Sequence, residues 1–506
     1  MFVRKKRNKS GAISIQVIDK ANGYRVVKTI GSTRDPEEVD RLVALGKRFI
    51  QRQSKQLALF PKDQRDNAAV PDFVQTLRNA SIRTIGPELI FGRLFDEIGF
   101  DAIPEQLFRD IVVARLVYPT SKRKTADYLY RYQGKVVSED SIYLFPDRLN
   151  KQYSHLAREV AWRHKKKILK TISVVFYDMT SLYFEAEDED DLRKIGFSKD
   201  GKFQNPQILL GLLIGSGGRP IGYRIFEGNT FEGKTLLPVL KEIQKKYRFG
   251  KPVVVADAAM LSRKNLDALD RAKYPFIVAS RIRNESDARQ KGILERSAGL
   301  QDGRFIEIDY GSGRRLIVSH LKQRAGKDAY NRQRGLARLR KRIGSGKLTR
   351  EYLNNRGYNK FLKLAGEITV QIDASMIEQD ARWDGLKGYL TSTELSPTEV
   401  IDNYRHLWQI ERAFRISKTD LRIRPMYHRR RRRMEAHVLT AFVAYTIHKE
   451  LERRLYKDNI PISPRRVSER TQTMYEMTFK LPGDPEEQKI LLQMDPDQQQ
   501  IYEMLY

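Results

Sequence analysis

A chain of 506 residues, 40% hydrophobic and 10% aromatic, can build two to four domains with real cores. Its 94 Lys and Arg outnumber 63 Asp and Glu, giving a formal charge of +31, an excess that repels itself unless a polyanion is the usual partner. The lack of cysteine excludes disulfides and thiolate zinc sites and suits a reducing cytosol. Nucleic acid is the first candidate partner. No membrane partner is expected, because there is no apolar run of about 18 residues and no basic amphipathic anchor. The N-terminal MFVRKKRNKS lacks a signal-peptide core, so a cytoplasmic, nucleoid-associated location is expected.

In chain order, residues 12–30 (AISIQVIDKANGYRVVKTI) alternate apolar and polar on both sides of Asn22-Gly23, which predicts a β-hairpin. In DPEEVDRLVALGKRFIQRQ, Asp35 as N-cap, Pro36 at N1 and Glu38 at N3 predict a helix, completing an N-terminal unit over 1–60. The polar PKDQRDNAAVPD, 61–72, reads as a linker. Residues 74–168 have a helical pattern with basic side chains interleaved and breaks at Pro119-Thr120-Ser121 and Gly134. Both a helix-turn-helix and a plain helical bundle satisfy it, and we assign DNA binding to this region.

From 171 the texture changes. ISVVFYDMTSLYF, QILLGLLIG and RPIGYRIFEGN are apolar segments separated by turn residues, as in an antiparallel meander. The helix KTLLPVLKEIQKKY, the strand PVVVAD, the helix SRKNLDALDRA and the strand PFIVASRI then alternate, which predicts a mixed α/β sheet. Residues 286–394 interrupt it with a hairpin (RFIEIDYGSGRRLIVSHL), a very basic helix (KDAYNRQRGLARLRKRI) and strands in EITVQID and GYLTST, a β-rich insertion. The core resumes over 395–456, ending in the apolar helix AHVLTAFVAYTIHKELERRL, and 457–506 read as a C-terminal tail. The expected class is α+β multidomain, with a mixed α/β core at 171–285 and 395–456.

Two aspartates stand where their neighbours favour burial: Asp178 inside VVFYDMTSLYF and Asp257 at the end of VVVAD. Buried carboxylates are costly and repel one another, a conflict that a divalent cation resolves. For either one alone, a capping or salt-bridged role suffices. A third carboxylate, Glu411, lies in YRHLWQIERAFRISKTDL, 404–421. Wound as one helix at about 100° per residue, Tyr404, Glu411 and Lys418 fall in one row, with Leu407, Trp408, Phe414 and Arg415 close by. Aromatic and charged residues thus share a face that an amphipathic helix would keep separate. Carboxylates holding one or two Mg²⁺ ions serve phosphoryl transfer, because hard cations take oxygen ligands. Neighbouring cations and rings suit phosphates and bases. The alternative is a Glu411–Arg415 ion pair over a core stripe.

The order Tyr177-Asp178-Met179-Thr180, then Ala256-Asp257-Ala258-Ala259-Met260, then Tyr404-x6-Glu411-x6-Lys418 resembles the DDE (Asp-Asp-Glu) transposases of bacterial insertion sequences. Glu227-Gly228-Asn229-Thr230 also looks like that family's Gly-Asn turn, and the resemblance covers roughly 170–450. It implies a ribonuclease H-like catalytic core with a β-rich insertion before the Glu. Asp178, Asp257 and Glu411 would be catalytic ligands of two Mg²⁺ or Mn²⁺ ions, and Tyr404 and Lys418 would contact DNA phosphates. The fuller family signature has an arginine where Leu407 stands, so Arg405 or Arg415 replaces that contact or it is absent. Cleavage at terminal inverted repeats, strand transfer into target DNA, and a homodimer or higher synaptic complex are further implied. The alternatives are a non-catalytic DNA-binding descendant, which the intact carboxylates argue against, and a ribonuclease H-like nuclease without strand transfer.

Of the remaining features, Arg429, Arg430, Arg431, Arg432 and Arg433 are expected to face phosphate. The acidic EAEDEDD, 185–191, reads as a solvated loop, and seven scattered histidines predict no zinc site. Trp383 and Trp408 are expected in the core. The Gly-Ser-Gly-Gly at 215–218 is a turn unaccompanied by a nucleotide-binding GxxxxGK[ST].

Overall fold

The computed structural model describes residues 1–8, 10–20, 23–53, 81–198, 201–247, 250–257, 262–345, 357–365, 369–480 and 486–506. The turn residue Asn22, the linker at 61–72 and Ala258-Ala259-Met260 lie outside the described residues. The chain divides into two compact units, Met1–Ile85 with Thr473–Asp495, and Gly86–Gln472 with Pro496–Tyr506.

In the first unit, β1 (Phe2–Arg7), β2 (Ile13–Asp19) and β3 (Arg25–Thr33) form an antiparallel sheet with β2 at its centre. Central position explains why Ile15, Val17 and Ile18 are buried. Helix α1 (Pro36–Gln53) starts at the proline, whose missing N–H would have had no partner there. A short strand β4 (Ile82–Thr84) pairs with Tyr475–Phe479, which pairs in turn with Gln488–Leu491. The tail expected over 457–506 is therefore corrected: it supplies these two strands and, in the second unit, the helices Pro464–Thr471 and Pro496–Glu503. The strands are too short for their alternation, with Met477 and Phe479 inward, to stand out.

The second unit begins with α2 (Arg93–Ile98), α3 (Gln106–Val117), α4 (Lys122–Gln133), α5 (Glu139–Arg148) and α6 (Ser154–Leu169). Ser121 caps α4 by accepting the Lys124 N–H, and Gly134 ends it in the left-handed region at φ 64°. The expected meander follows as β5 (Val174–Tyr183), β6 (Gln207–Gly215) and β7 (Arg219–Glu227). Then come α7 (Leu236–Tyr247), β8 (Val253–Ala256), α8 (Arg263–Arg271) and β9 (Phe276–Ser280), with β8 parallel to both β5 and β9.

Residues 281–396 contain α9 (Asp287–Ser297), the hairpin β10 (Phe305–Gly311) and β11 (Arg314–His320), α10 (Lys322–Gly344), the hairpin β12 (Leu362–Ala365) and β13 (Thr369–Ile372), α11 (Ala374–Ala381) and β14 (Leu386–Thr391). The helices α12 (Pro397–Arg405), α13 (Trp408–Arg415) and α14 (Arg431–Lys457) complete the core. One eight-stranded sheet runs β10-β11-β14-β9-β8-β5-β6-β7. The separate insertion expected over 286–394 is thus corrected in part, since β14 pairs with β9 and carries β11 and β10 onto the main sheet.

Alternation along β5 divides the core. Tyr177 and Met179 pack with Leu236, Leu240 and Leu266 from α7 and α8 on one sheet face. Phe176 and Leu182 pack on the other with Ile410 and Phe414 of α13 and most of α14. Val112 of α3 and Phe145 of α5 belong to that second cluster too. The helical region 74–168 is accordingly no separate domain over its described residues. Sequence shows that a helix has an apolar face, not which element will cover it.

Candidate active site

In the parallel pair β5–β8, Tyr177 stands opposite Ala256. Asp178 and Asp257 each lie one residue further along adjacent chains. Asp178 follows the alternation of Phe176 and Leu182, and Asp257 that of Val253 and Val255, so both belong to the sheet face covered by α12 to α14. Asp178 is half-buried, and its Oδ1 accepts the Met179 N–H at 2.7 Å. Asp257 is exposed at the strand end.

Glu411 reaches this face on α13, which packs against β5. The single helix expected over 404–421 is corrected. Leu407 N donates to Tyr404 O at 3.0 Å and Ile410 N to Leu407 O at 3.1 Å, tighter bonds that separate α12 from α13, and a π turn follows at Ile416–Asp420. The row does not survive this break. Tyr404 is buried with its ring centre 5.2 Å from that of Tyr389, Glu411 and Arg415 are exposed, and Lys418 is half-buried in the π turn. Among the described residues Glu411 forms no ion pair with Arg415. Leu407 is buried at the break, and Arg405 pairs with Asp402 at 3.1 Å. Trp383 is buried as expected, but Trp408 is 50% exposed, with the Arg412 guanidinium 5.9 Å from its ring centre.

Lys387 is the residue that the sequence did not single out. On β14 it shares a face with Tyr389, and its Nζ lies 4.4 Å from the Tyr404 ring centre and 5.4 Å from that of Tyr389. Burial pulls the ammonium below the usual lysine pKa and Arg324 and Arg405 add to this, while Asp257 and Glu411 oppose it. Burial also raises the Tyr404 phenol, and Asp257 and Glu411 push it further. These two carboxylates act on the same pair of side chains. The three do not converge: among the described residues, no group of three or more His, Asp or Glu is close enough to hold a metal ion.

In the arginine run, Arg432 and Arg433 both donate to Asp147 of α5, at 2.7 and 2.8 Å, and Arg431 to Glu435 at 3.1 Å. Arg429 and Arg430 are exposed ahead of the helix. The acidic run ends in a folded turn. Burial pushes the Asp190 carboxyl up, but hydrogen bonds from Arg193 and Leu192 outweigh it and hold the group below its usual value. At the end of β7, a Cβ on Gly228 would lie 2.1 Å from Gln207 O and 2.3 Å from Lys194 O, so only glycine fits. The buried Gln207 Nε2 donates to Gly228 O at 3.1 Å and pins the turn.

The family of the transposase DDE domain matches residues 170–447, more than half of the chain. No curated protein matches it. Among solved structures, the chain is similar to a piggyBac transposase synaptic complex with hairpin DNA, at 10% identity over 76% of each chain and a TM-score of 0.38. It is also similar to a Mos1 transposase paired-end complex with left transposon end, at 13% identity over 51% of this chain and 69% of that one, with a TM-score of 0.16. On the extent of the family match, this chain belongs to the transposase DDE domain family.

Proposed function

We propose that the chain is an active insertion-sequence transposase that cuts DNA at the terminal inverted repeats of its element and joins the freed ends to target DNA. The observation that carries this reading is the register that sets Asp178 beside Asp257, on the face to which α13 brings Glu411. Carboxylate oxygens are the ligands that Mg²⁺ and Mn²⁺ take, and Asp257 and Glu411 are exposed to receive an ion, but the three carboxylates stand too far apart here to share one and would have to be drawn together on binding it. Asp178, Asp257 and Glu411 would hold one or two such ions, which supply charge stabilisation for in-line displacement at phosphorus.

The chain's own side chains do the rest. Lys387, its ammonium beside the Tyr404 and Tyr389 rings, offers a cation to a DNA phosphate on the carboxylate face. The core is read as ribonuclease H-like, with the 1–60 and 74–168 regions on the terminal repeats. Joining two ends calls for a homodimer or a higher synaptic complex. The +31 charge favours nucleoid association through counterion release. Among the described residues no helix is long and apolar enough to cross a membrane.

The test uses the full chain, Mg²⁺ or Mn²⁺, and DNA bearing the inverted repeats that flank its coding region. Asp257→Asn and Glu411→Gln are each expected to slow cleavage by about 10² to 10⁴-fold while DNA binding persists, and Asp188→Asn to change little. Normal cutting by either variant removes that residue from the ligand set. A wild-type chain that binds without cutting is the non-catalytic descendant, and one that cuts without joining is a nuclease.

A further inference from the structure

A cavity of about 830 Å³ opens where the end of α3, the start of α4 and the segment leading into α14 meet; none of the three carboxylates lines it. Arg115, Lys122, Arg422, Arg424, Arg429, Arg430 and Arg433 do, and among the described residues no Asp or Glu joins them in the lining. The carboxylate that bears on this group is Asp147, whose oxygens already accept from Arg432 and Arg433. Arg115 donates to the carbonyls of Leu421 and Arg422, each at 3.2 Å, rather than to an anion. Lys122 Nζ lies 3.4 Å from His428 Nδ1 and 4.6 Å from the Tyr143 ring centre. Several cations gathered in a recess that share the single carboxylate Asp147 are costly, and an anionic ligand reduces that cost. At the mouth, Tyr427 is 72% exposed.

We propose that this cavity binds a phosphodiester of an unpaired DNA strand, with the Tyr427 ring stacked on an adjacent base. An exposed ring beside a basic recess suits a single strand, whose unpaired bases are free to stack on aromatic rings regardless of sequence, whereas a duplex keeps its bases paired inside. The starts of α4 and α14 add partial positive charge to the same space. Burial, then Arg433 and Arg115, lowers the Lys122 pKa to about 8 against the opposing pull of Asp147, and a bound phosphate would raise it again.

The cavity is also tied to the carboxylate face. Met426, between the lining residues Pro425 and Tyr427, forms a parallel bridge with Phe184, and its N–H donates to Tyr183 O at 3.1 Å. Asp178 lies on the same strand, so a separation of about 20 Å follows from the ~3.3 Å rise per residue. At ~3.4 Å per nucleotide, one strand of about six nucleotides spans both places. A free nucleotide would span only one.

The inference rests on the DNA reading above, and the experiment separates the two. Full-length wild type, Lys122→Gln and Tyr427→Ala are titrated with a blunt duplex and with an oligothymidylate of about twelve nucleotides, followed by anisotropy. Each variant is expected to bind the oligothymidylate about five- to hundredfold more weakly, with duplex affinity within about twofold of wild type. Tyr427→Ala alters an exposed ring, so it remains informative if Lys122→Gln disturbs the fold. Unchanged oligothymidylate binding by Tyr427→Ala, an equal loss on duplex, or displacement of the oligothymidylate by equimolar ATP overturns the assignment. If wild type binds neither DNA, the DNA reading itself fails.

Discussion

The Lys387 ammonium sits 4.4 Å from the centre of the Tyr404 ring, within the field of both Asp257 and Glu411. A cation in the field of two carboxylates, with its ammonium against two aromatic rings, can donate to a phosphate oxygen brought to the same face. Lys387→Met should therefore reduce the slope of log affinity for DNA against log salt by about 0.9, the loss of one phosphate contact. Its stability should hold or rise, because a partly buried charge is replaced by an apolar chain of similar length. Salt-dependent binding and thermal denaturation of the same preparation check both parts.

Two glycines should respond to alanine with opposite signs. Gly228→Ala drives a methyl group into the Gln207 and Lys194 carbonyl oxygens and should destabilise by about 1–3 kcal/mol or more. Gly292, within α9, has open space where its Cβ would go. Gly292→Ala should stabilise by about 0.5–1 kcal/mol. Urea denaturation of the pair provides the comparison.

Acid should unfold the second unit through specific carboxylates. Arg433 and Arg432 hydrogen bonds, opposed by burial, lower the Asp147 pKa from 3.8 to about 2. A depressed carboxylate contributes stability that is complete above about pH 4 and is lost as pH falls through about 2. Asp147→Asn should lower stability at neutral pH and flatten its decline between those values. Denaturation midpoints measured against pH would show a parallel decline instead if the pair contributes nothing.

Glu450 is a stronger case. Burial raises its pKa, but hydrogen bonds from Arg453 at 2.6 Å, His164 at 3.3 Å and Arg454 at 3.0 Å hold it far below the usual range. Glu450→Gln leaves these groups beside a neutral amide and should cost about 3–5 kcal/mol at neutral pH. Calorimetry at pH 7 is the measurement.

What the sequence disclosed follows the range of the interactions involved. The β5–β6–β7 meander and the strand setting of Asp178 were legible because apolar runs and turn residues report local hydrogen bonding. The place of Lys387 was not, since β14 reaches β9 only after a long excursion and its pairing leaves no local trace. Periodicity placed Tyr404 and Glu411 in one row by assuming an unbroken helix, whereas tighter hydrogen bonds on either side of Leu407 divide it into two. The arginine run reads identically whether it faces solvent or Asp147, a partner hundreds of residues away in sequence.

The ladder of β11 and β14 ends with His320 opposite Leu386. The segment between them, over its described residues, leaves and re-enters the sheet at a single rung, where paired Cα atoms stand about 5 Å apart. This excursion carries its own small core of Leu336, Leu339, Phe361 and Leu362. Near its return, Trp383 packs into the main core, and the Arg283 guanidinium stands 6.0 Å from its ring centre. The excursion is thus anchored at its return end while its own core is built apart, so changes of length should be tolerated best around Leu336, Leu339 and Phe361 and least beside Trp383.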